Sequence, residues 1–450
     1  GNDGAYPFIV GGPSTTESAL SVGAMTHPTQ PVANFISDVA GEKIELGTAS
    51  FGDKGEFSIS SNDTELVYPA ENQDGCDEFV DTVDFTGKAV IIDRGGCGFS
   101  EKALNAQKSG AKLVIVANNA DGAAPGMSGG PEASEVTIPV VSVTQDVGQL
   151  LKDALAKNEQ PEYSMKLELI VQAGAIADFT SRGPSMGGLL KPEITAPGVN
   201  IMTATPGAGD GLAPISGTSF SAPITAGAIS LLKEALPERN AFELKATLMN
   251  AANLDVTMEP RALNPEAELA PISYIGAGLV DVTKAANLPV AAWAKDTKQA
   301  ALSFGLVSAS EKLELSKTVE VKNFSNEVKV YTLSLEQRYQ NDIDRGSFSL
   351  DYPATITVPA GQTISFDVTA TIDPITLPEW TLDAGNVGSL DATSDLTDLE
   401  LDGALIFSDG SEPAFHLVYH VLPKANAAVS IMPEMTADGP SHKLTNTGAA

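Results

Sequence analysis

Three continuous apolar runs alternate with two stretches of helical periodicity in the first half of the chain. The runs Lys88–Asp93, Lys112–Ala117 and Ile138–Val143 have the length and composition of buried strands. Phe99–Ser109 places its apolar residues on one helical face, and Gln145–Ala156 is predicted to be another helix. This alternation of strands and helices predicts a compact α/β unit.

The pattern on either side of this unit is different. Short strands are predicted at Pro7–Val10 and Ala19–Val22. Ser221–Leu236 and Ala241–Ala252 have helical spacing, so we expect two consecutive helices there. The Gly- and Pro-rich stretches between residues 181 and 198 are predicted to be extended loops.

From residue 291 onward, apolar and polar residues alternate. Thr318–Val321, Val328–Leu335, Thr355–Val358 and Thr363–Ala370 show this pattern, which is typical of half-buried strands. The pattern predicts a β-sandwich over residues 291–425. The polar residues 426–450 are predicted to be a tail or the start of another β module.

The charge balance excludes some partners. The chain has 27 basic and 58 acidic residues, a formal net charge of −31. Nucleic acid is therefore not an expected partner, because phosphate binding needs a basic surface. Carboxylates in such number favour a solvated acidic surface or sites for Ca²⁺. No apolar run reaches the roughly 18 residues that a membrane span requires, so we expect none.

The two cysteines, Cys76 and Cys97, both fall in the predicted α/β unit. They could be two free thiols or one bridge. Their place in one small domain favours a disulfide, which would indicate an oxidising compartment.

The segment with the clearest chemical potential is Ile215–Leu232. A turn of small residues, Gly217–Ser219, leads directly into the predicted helix. A serine at such a junction presents its hydroxyl at the positive end of the helix dipole, beside backbone N–H groups that have no partner within the helix. The same residues are also consistent with an ordinary helix with a Ser/Thr cap.

Residues 217–223 (GTSFSAP) resemble the active-site serine motif of the subtilisin-like serine proteases, and Ser219 matches its nucleophile. Phe220 is a departure, because the family usually has Met there. Further stretches resemble the same family: Phe179–Pro184, Lys191–Ile201, Leu248–Ala252 and Gly276–Asp281. Gly1–Gly4 is similar to the family segment whose Asn completes the oxyanion hole, so Asn2 is the candidate oxyanion donor.

The resemblance implies a subtilisin-like catalytic domain, with a parallel sheet and helices on both faces, that is only partly present. The family order Asp, His, Ser places the catalytic Asp and His before Gly1, so we expect a fragment that lacks both. None of His27, His416, His420 and His442 has the neighbours of the family's catalytic His, and all four are expected to be structural or surface residues.

Two other parts of the chain resemble domains that accompany such proteases. Asp93–Phe99 (DRGGCGF), followed by Lys102, Ala106 and Gly110–Ala111, is similar to a protease-associated domain. Residues 291–425 resemble a fibronectin type III-like domain. The expected segments are 1–45 (catalytic, first part), 46–164 (inserted protease-associated domain), 165–290 (catalytic, Ser-bearing part), 291–425 (β-sandwich) and 426–450.

The resulting hypothesis is a secreted serine endopeptidase that acts on proteins or peptides, with an acyl-enzyme formed on Ser219. No cofactor for the chemistry is expected, and a structural Ca²⁺ is an expectation from the family alone. The alternative is a non-catalytic pseudo-protease that serves as a binding or adhesion module. Catalytic Asp and His motifs upstream would distinguish the enzyme from this alternative.

Overall fold

The computed structural model describes residues 1–27, 31–44, 46–120, 122, 124–171, 173–204, 209, 211–382, 391–410, 413–436 and 439–449. The α-helices in this part of the chain are α1 (Phe99–Lys108), α2 (Gln145–Ala156), α3 (Thr218–Ala235), α4 (Ala241–Ala251), α5 (Ile272–Ile275), α6 (Val282–Asn287), α7 (Gln340–Arg345) and α8 (Asp391–Leu399). None of them has both the length and the apolar character that a membrane crossing requires.

The strands in the first half of the chain are β1 (Val22–Met25), β2 (Pro31–Val39), β3 (Glu42–Lys43), β4 (Gly47–Thr48), β5 (Phe57–Ser60), β6 (Leu66–Val67), β7 (Ala89–Asp93), β8 (Leu113–Ala117), β9 (Val140–Val143), β10 (Tyr163–Val171), β11 (Ile194–Pro197), β12 (Ile201–Ala204) and β13 (Leu212–Ile215). The second half contains β14 (Val290–Ala294), β15 (Ala301–Ala309), β16 (Leu313–Asn323), β17 (Lys329–Gln337), β18 (Phe348–Asp351), β19 (Thr355–Val358), β20 (Thr363–Ile372), β21 (Leu401–Ser408), β22 (Pro413–Ala425), β23 (Val429–Thr436) and β24 (Gly439–Asn446).

Residues 31–171 form one compact unit. Its main sheet has the strand order β4-β9-β8-β7-β6, in which β6 to β9 are parallel. Successive strand residues point to opposite faces, so Ile91 and Ile115 join the core with Leu151 of α2, whereas Val90 and Val114 join the core that contains α1. The alternation of apolar runs and helices thus produces the predicted α/β arrangement.

The bounds of this unit differ from the predicted 46–164. Strand β2 pairs with β10 in an antiparallel ladder, with Pro31 opposite Val171 and Val39 opposite Tyr163. The two strands belong to a second, antiparallel sheet of order β3-β2-β10-β5. Because this pairing joins residues on both sides of the predicted boundaries, the unit extends beyond them.

Residues 1–30 and 172–450 form the other unit. Strands β1 and β11 are parallel, with Val22 opposite Ile194. Within the described residues, they form a sheet of two strands. Helix α3 packs on both strands, and α4 packs beside α3. The prediction of a strand at Pro7–Val10 is wrong: Phe8 has a φ of +60°, which turns the chain there.

Two further sheets follow in this unit, with orders β14-β16-β20-β18 and β15-β22-β21-β17-β19. We call residues 290–425 the two-sheet region. One hydrophobic core contains residues from both sheets, such as Val319 and Phe407, together with Leu248 and Met249 of α4. The two-sheet region therefore shares its core with the helices that precede it. Strands β23 and β24 form a hairpin in the segment predicted to be a tail or a β module.

Candidate active site

Asn2 lies in a segment whose position is fixed by Ser181. The Ser181 N–H donates a hydrogen bond to the Gly1 carbonyl at 3.0 Å. The Ser181 hydroxyl accepts from the Asp3 N–H at 3.2 Å and donates to Asp3 Oδ2 at 3.3 Å. Both chain neighbours of Asn2 are thereby held by one residue that is distant in sequence.

Ser219 lies in the first turn of α3. The residue directly before the helix, Gly217, has φ 154° and ψ 155°, a conformation that essentially only glycine adopts. This turn lets the helix start at Thr218, so that Ser219 is the second helical residue and is exposed. The N–H groups of a first helical turn have no carbonyl partner within the helix. In this turn the Phe220 N–H donates to the Gly217 carbonyl at 3.0 Å. The exposed Ser219 hydroxyl is therefore accessible beside the N–H of its own residue.

Asn2 and the start of α3 are in direct contact. Asn2 Oδ1 accepts hydrogen bonds from the Thr218 N–H at 3.0 Å and from the Thr218 hydroxyl at 2.7 Å, across 216 residues of sequence. No side chain at the N-cap position, Gly217, caps α3, and Asn2 supplies this interaction from elsewhere in the chain. Because Oδ1 is used as an acceptor, the donor group of the side chain is Nδ2, which lies beside Gly217.

Gly198 brings the strand pair β1–β11 into contact with the start of α3. Its N–H donates to the Met25 carbonyl at 2.9 Å, and its carbonyl accepts from the Gly217 N–H at 2.7 Å. A Cβ at position 198 would lie 2.7 Å from the Ala24 Cβ and would also clash with Ser221 Oγ. The close approach therefore requires glycine.

The face of α3 away from β1 and β11 is exposed. Ile224 is 37% exposed and Leu231 is 60% exposed, and the small residues Ala226 and Gly227 lie on the same exposed side.

The histidines lie in different surroundings. The buried His416 ring makes a hydrogen bond through Nε2 to the Ala277 carbonyl at 3.0 Å, and the buried His420 ring pairs with Glu400 through Nε2 at 2.8 Å. Burial lowers the pKa of His416 to about 4, so that ring is neutral at pH 7. His27 follows β1 and is half-buried, and the side chain of His442 is outside the described residues.

Within the described residues, no three side chains of His, Cys, Asp or Glu converge in a way that would hold a metal ion. The structural Ca²⁺ remains an expectation from the sequence.

In the unit of residues 31–171, Cys76 and Cys97 form a disulfide, which confirms the predicted pairing. The bridge is next to the buried side chain of Lys102, whose ammonium group donates to the carbonyls of Asp74 and Gly95. Lys102 therefore joins α1 to the two loops that the disulfide connects.

Sequence reasoning missed two residues near the site. Arg182 is part of a recognised stretch but had no assigned role, and Glu400 was not singled out. Both side chains are fully buried and pair with each other. The available signal for Glu400 was an acidic residue directly before β21, a largely apolar strand in which all residues but the last are buried.

Comparison with known proteins gives one family match and several relatives. A family model described as "PA domain" matches residues 63–151, inside the unit of residues 31–171. The minor extracellular protease Vpr of Bacillus subtilis (strain 168) is 29% identical over 377 residues, which cover 81% of this chain and 42% of that protein.

Two further relatives have similar coverage of this chain. The PII-type proteinase of Lactococcus lactis subsp. cremoris is 26% identical over 412 residues, covering 81% of this chain and 21% of that protein. The C5a peptidase of Streptococcus pyogenes serotype M3 is 28% identical over 379 residues, covering 81% of this chain and 30% of that protein. The chain thus contains a PA domain and is homologous to proteases, and it spans less than half the length of these curated relatives.

Proposed function

We propose that residues 1–30 and 172–290 are the Ser-bearing part of the catalytic domain of a subtilisin-like serine endopeptidase. The observation that carries the proposal is the contact between Asn2 and Thr218. It places an amide donor beside the first turn of α3, in which Ser219 presents its hydroxyl. Homology to proteases supports the assignment.

The proposed chemistry divides the work between these residues. Ser219 Oγ attacks the peptide carbonyl, and an acyl-enzyme forms as the amine leaves. The Ser219 N–H and Asn2 Nδ2 donate hydrogen bonds to the oxyanion that develops on the carbonyl oxygen. The proton of Ser219 passes to a His, oriented by an Asp, and we propose that both lie outside these 450 residues. The exposed apolar side of α3 supports this, since such a face favours burial against further protein.

The remaining domains fit the same function. We propose that the two-sheet region is a fibronectin type III-like β-sandwich. The substrates are proteins or peptides, and the acidic composition makes nucleic acid an unfavourable partner. The protein acts outside the cell, which the disulfide and the extracellular relative support. A structural Ca²⁺ is compatible with the acidic composition.

The decisive experiment uses the complete protease that contains this chain. Turnover of a peptide substrate and covalent labelling by a fluorophosphonate are compared for the parent and its Ser219→Ala variant. We expect Ser219→Ala to abolish both. A folded complete protein with no turnover and no labelling would instead indicate a non-catalytic binding module.

The 450-residue chain alone is expected to show no turnover. It has the nucleophile without an assigned general base, and a serine hydroxyl without a base is a weak nucleophile. Peptide hydrolysis by this chain that disappears in Ser219→Ala would contradict the expectation that the base lies elsewhere.

A further inference from the structure

Arg182 and Glu400 form a buried ion pair between the segment before β11 and the two-sheet region. Both side chains are 0% exposed, and Arg182 Nη2 lies 2.5 Å from Glu400 Oε1. Arg182 also donates through Nε to the Ser273 hydroxyl at 3.0 Å and through Nη2 to the Thr397 hydroxyl at 2.9 Å. Ser273 in turn donates to Glu400 at 2.9 Å. The guanidinium group is thus fixed in direction as well as in position.

Arg182 and the residue before it, Ser181, hold the N-terminal segment that carries Asn2. Ser181, the preceding residue, bonds to Gly1 and Asp3 as described above. The Arg182 carbonyl itself accepts a hydrogen bond from the Ile9 N–H at 3.2 Å. A displacement of Arg182 would therefore move both chain neighbours of Asn2.

The proposed role of Asn2 as an oxyanion donor requires an accurate position of its side chain. An oxyanion donor must lie within hydrogen-bond distance of the point where the negative charge develops, and a displacement of about 1 Å lowers the rate strongly. The contact with Thr218 fixes Oδ1 of Asn2. The direction of Nδ2 depends in addition on the backbone of Gly1 to Asp3, which Ser181 holds.

We propose that Glu400 of the two-sheet region is a positioning residue for the oxyanion donor Asn2, acting through Arg182 and Ser181. The proposal rests on the proposed function of Asn2. It gives the two-sheet region a part in catalysis in addition to its part in the shared core.

The main test is the Glu400→Gln variant of the complete protease. Gln keeps the shape of the side chain and removes the charge that holds Arg182. We expect kcat per titrated active site to fall by about tenfold while KM stays within about twofold, because the donor acts on charge that develops in the transition state. The matched control is Glu320→Gln, a substitution of the same kind in β16, where Glu320 pairs with Lys298 and Trp293. This control should keep the parental kcat.

A double-mutant cycle separates positioning from general stability. If Glu400 acts through Asn2, then Glu400→Gln should cause no further loss of kcat in an Asn2→Leu background. Equal fold losses in both backgrounds would overturn the proposal, as would a parental kcat in a folded Glu400→Gln enzyme. If Glu400→Gln does not fold, Thr397→Val removes a single hydrogen bond of Arg182, and the same cycle applies with a smaller expected loss of about twofold to threefold.

The 450-residue chain provides a second readout that does not depend on activity. In Glu400→Gln, the amide hydrogen of Thr218 should exchange faster than in the parent and in Glu320→Gln, since its acceptor is Asn2 Oδ1. Unchanged exchange would contradict the proposal. Full activity of the Ser219→Ala enzyme would contradict the proposed function itself, so the two failures are distinguishable.

Discussion

Asn2 shows how one side chain can combine two roles at the start of a helix. Its carbonyl oxygen accepts from the N–H and the hydroxyl of Thr218, and this orients the amide group. The remaining donor, Nδ2, is directed by the same contact to the side of Gly217. A leucine side chain has a similar volume but neither the acceptor nor the donor.

The Asn2→Leu variant of the complete protease should therefore lose kcat with little change in KM. We expect a loss of roughly 10²–10³-fold, the range established for removal of one such donor in subtilisin. Active-site titration combined with thermal unfolding separates this effect from misfolding. A well-folded variant whose kcat is within a few-fold of the parent would exclude the oxyanion role.

At the scale of residues, local motifs were the basis for assigning candidate site residues. Ser219 and Asn2 were both assigned, and the structure brings Asn2 against the residue before Ser219. Arg182 and Glu400 could not be paired in the same way, because they are 218 residues apart and neither the helical nor the strand period relates them. Long-range ion pairs of this kind depend on the tertiary fold.

At the scale of elements, apolar periodicity located the interiors of helices and strands better than their ends. The helix predicted at Gln145–Ala156 has these bounds in the structure, whereas α3 begins three residues before the predicted Ser221. The difference arises because Gly217 and Asn2 together provide the N-terminus of α3, and the apolar pattern contains neither signal. The residues of β11 were predicted to be part of an extended loop. The sequence pattern did not reveal the strand, because its partner β1 is distant in sequence.

A buried charge cluster lies directly before strand β11. Glu193, just before it, pairs with Lys191 at 2.8 Å and with Lys245 at 2.6 Å. The fully buried Lys191 ammonium group also donates to the carbonyls of Thr16 and Ala19. Burial lowers the pKa of Lys191, and the Glu193 carboxylate opposes this effect.

Lys191→Met is expected to lower the free energy of unfolding by about 2–3 kcal/mol, because it removes one of the two cations that pair with the buried Glu193 and one hydrogen bond to each of the Thr16 and Ala19 carbonyls. Urea unfolding followed by tryptophan fluorescence measures the change. Lys295→Met is the matched control, since Lys295 is 57% exposed and lies 3.9 Å from its partner Glu320. Equal unfolding midpoints for the two variants would contradict a structural role of the cluster.

The disulfide between Cys76 and Cys97 lies in the unit of residues 31–171. It closes a loop between two cysteines that are 21 residues apart in sequence. In the chain-entropy model, a loop of this length stabilises the folded state by about 3 kcal/mol. A Cys76→Ala/Cys97→Ala variant should therefore show faster amide exchange in β7 and β8, with β16 and β20 unchanged as the internal reference. Two alkylated thiols in non-reduced protein from an oxidising compartment would show instead that the bridge does not form.

At the scale of the whole molecule, the chain folds as two units with separate cores. Buried titratable side chains make the free energy of unfolding depend on pH. In the unit of residues 1–30 and 172–450, His416 of β22 is enclosed by the core and packs against α4 and Ala277. Burial is the main cause of its lowered pKa, to which Lys284 and Arg338 also contribute, whereas the hydrogen bond to Ala277 acts in the opposite direction. Asp402 in the adjacent strand has a raised pKa because of burial and the nearby Glu400, so its pH dependence has the opposite sign.

The sign of the His416 effect follows from proton binding in the two states. The unfolded chain binds a proton at this residue below pH 6.5, whereas the folded protein binds it only near pH 4. The unfolded state therefore holds more protons between these values, and stability is lost as the pH falls from about 6.5 to about 4, by about 3 kcal/mol in total. Below pH 4 the contribution becomes constant.

A His416→Gln variant isolates this contribution from that of Asp402, which is present in both proteins. Gln retains an N–H that can donate to the Ala277 carbonyl but has no titrating group. Both tryptophans, Trp293 and Trp380, lie in this unit, so their fluorescence in urea reports its unfolding. Between pH 7 and pH 4.5, the parent should lose about 2–3 kcal/mol more stability than the variant. Parallel losses in the two proteins would show that His416 titrates alike in the folded and unfolded states, and would contradict its assignment as a neutral core residue.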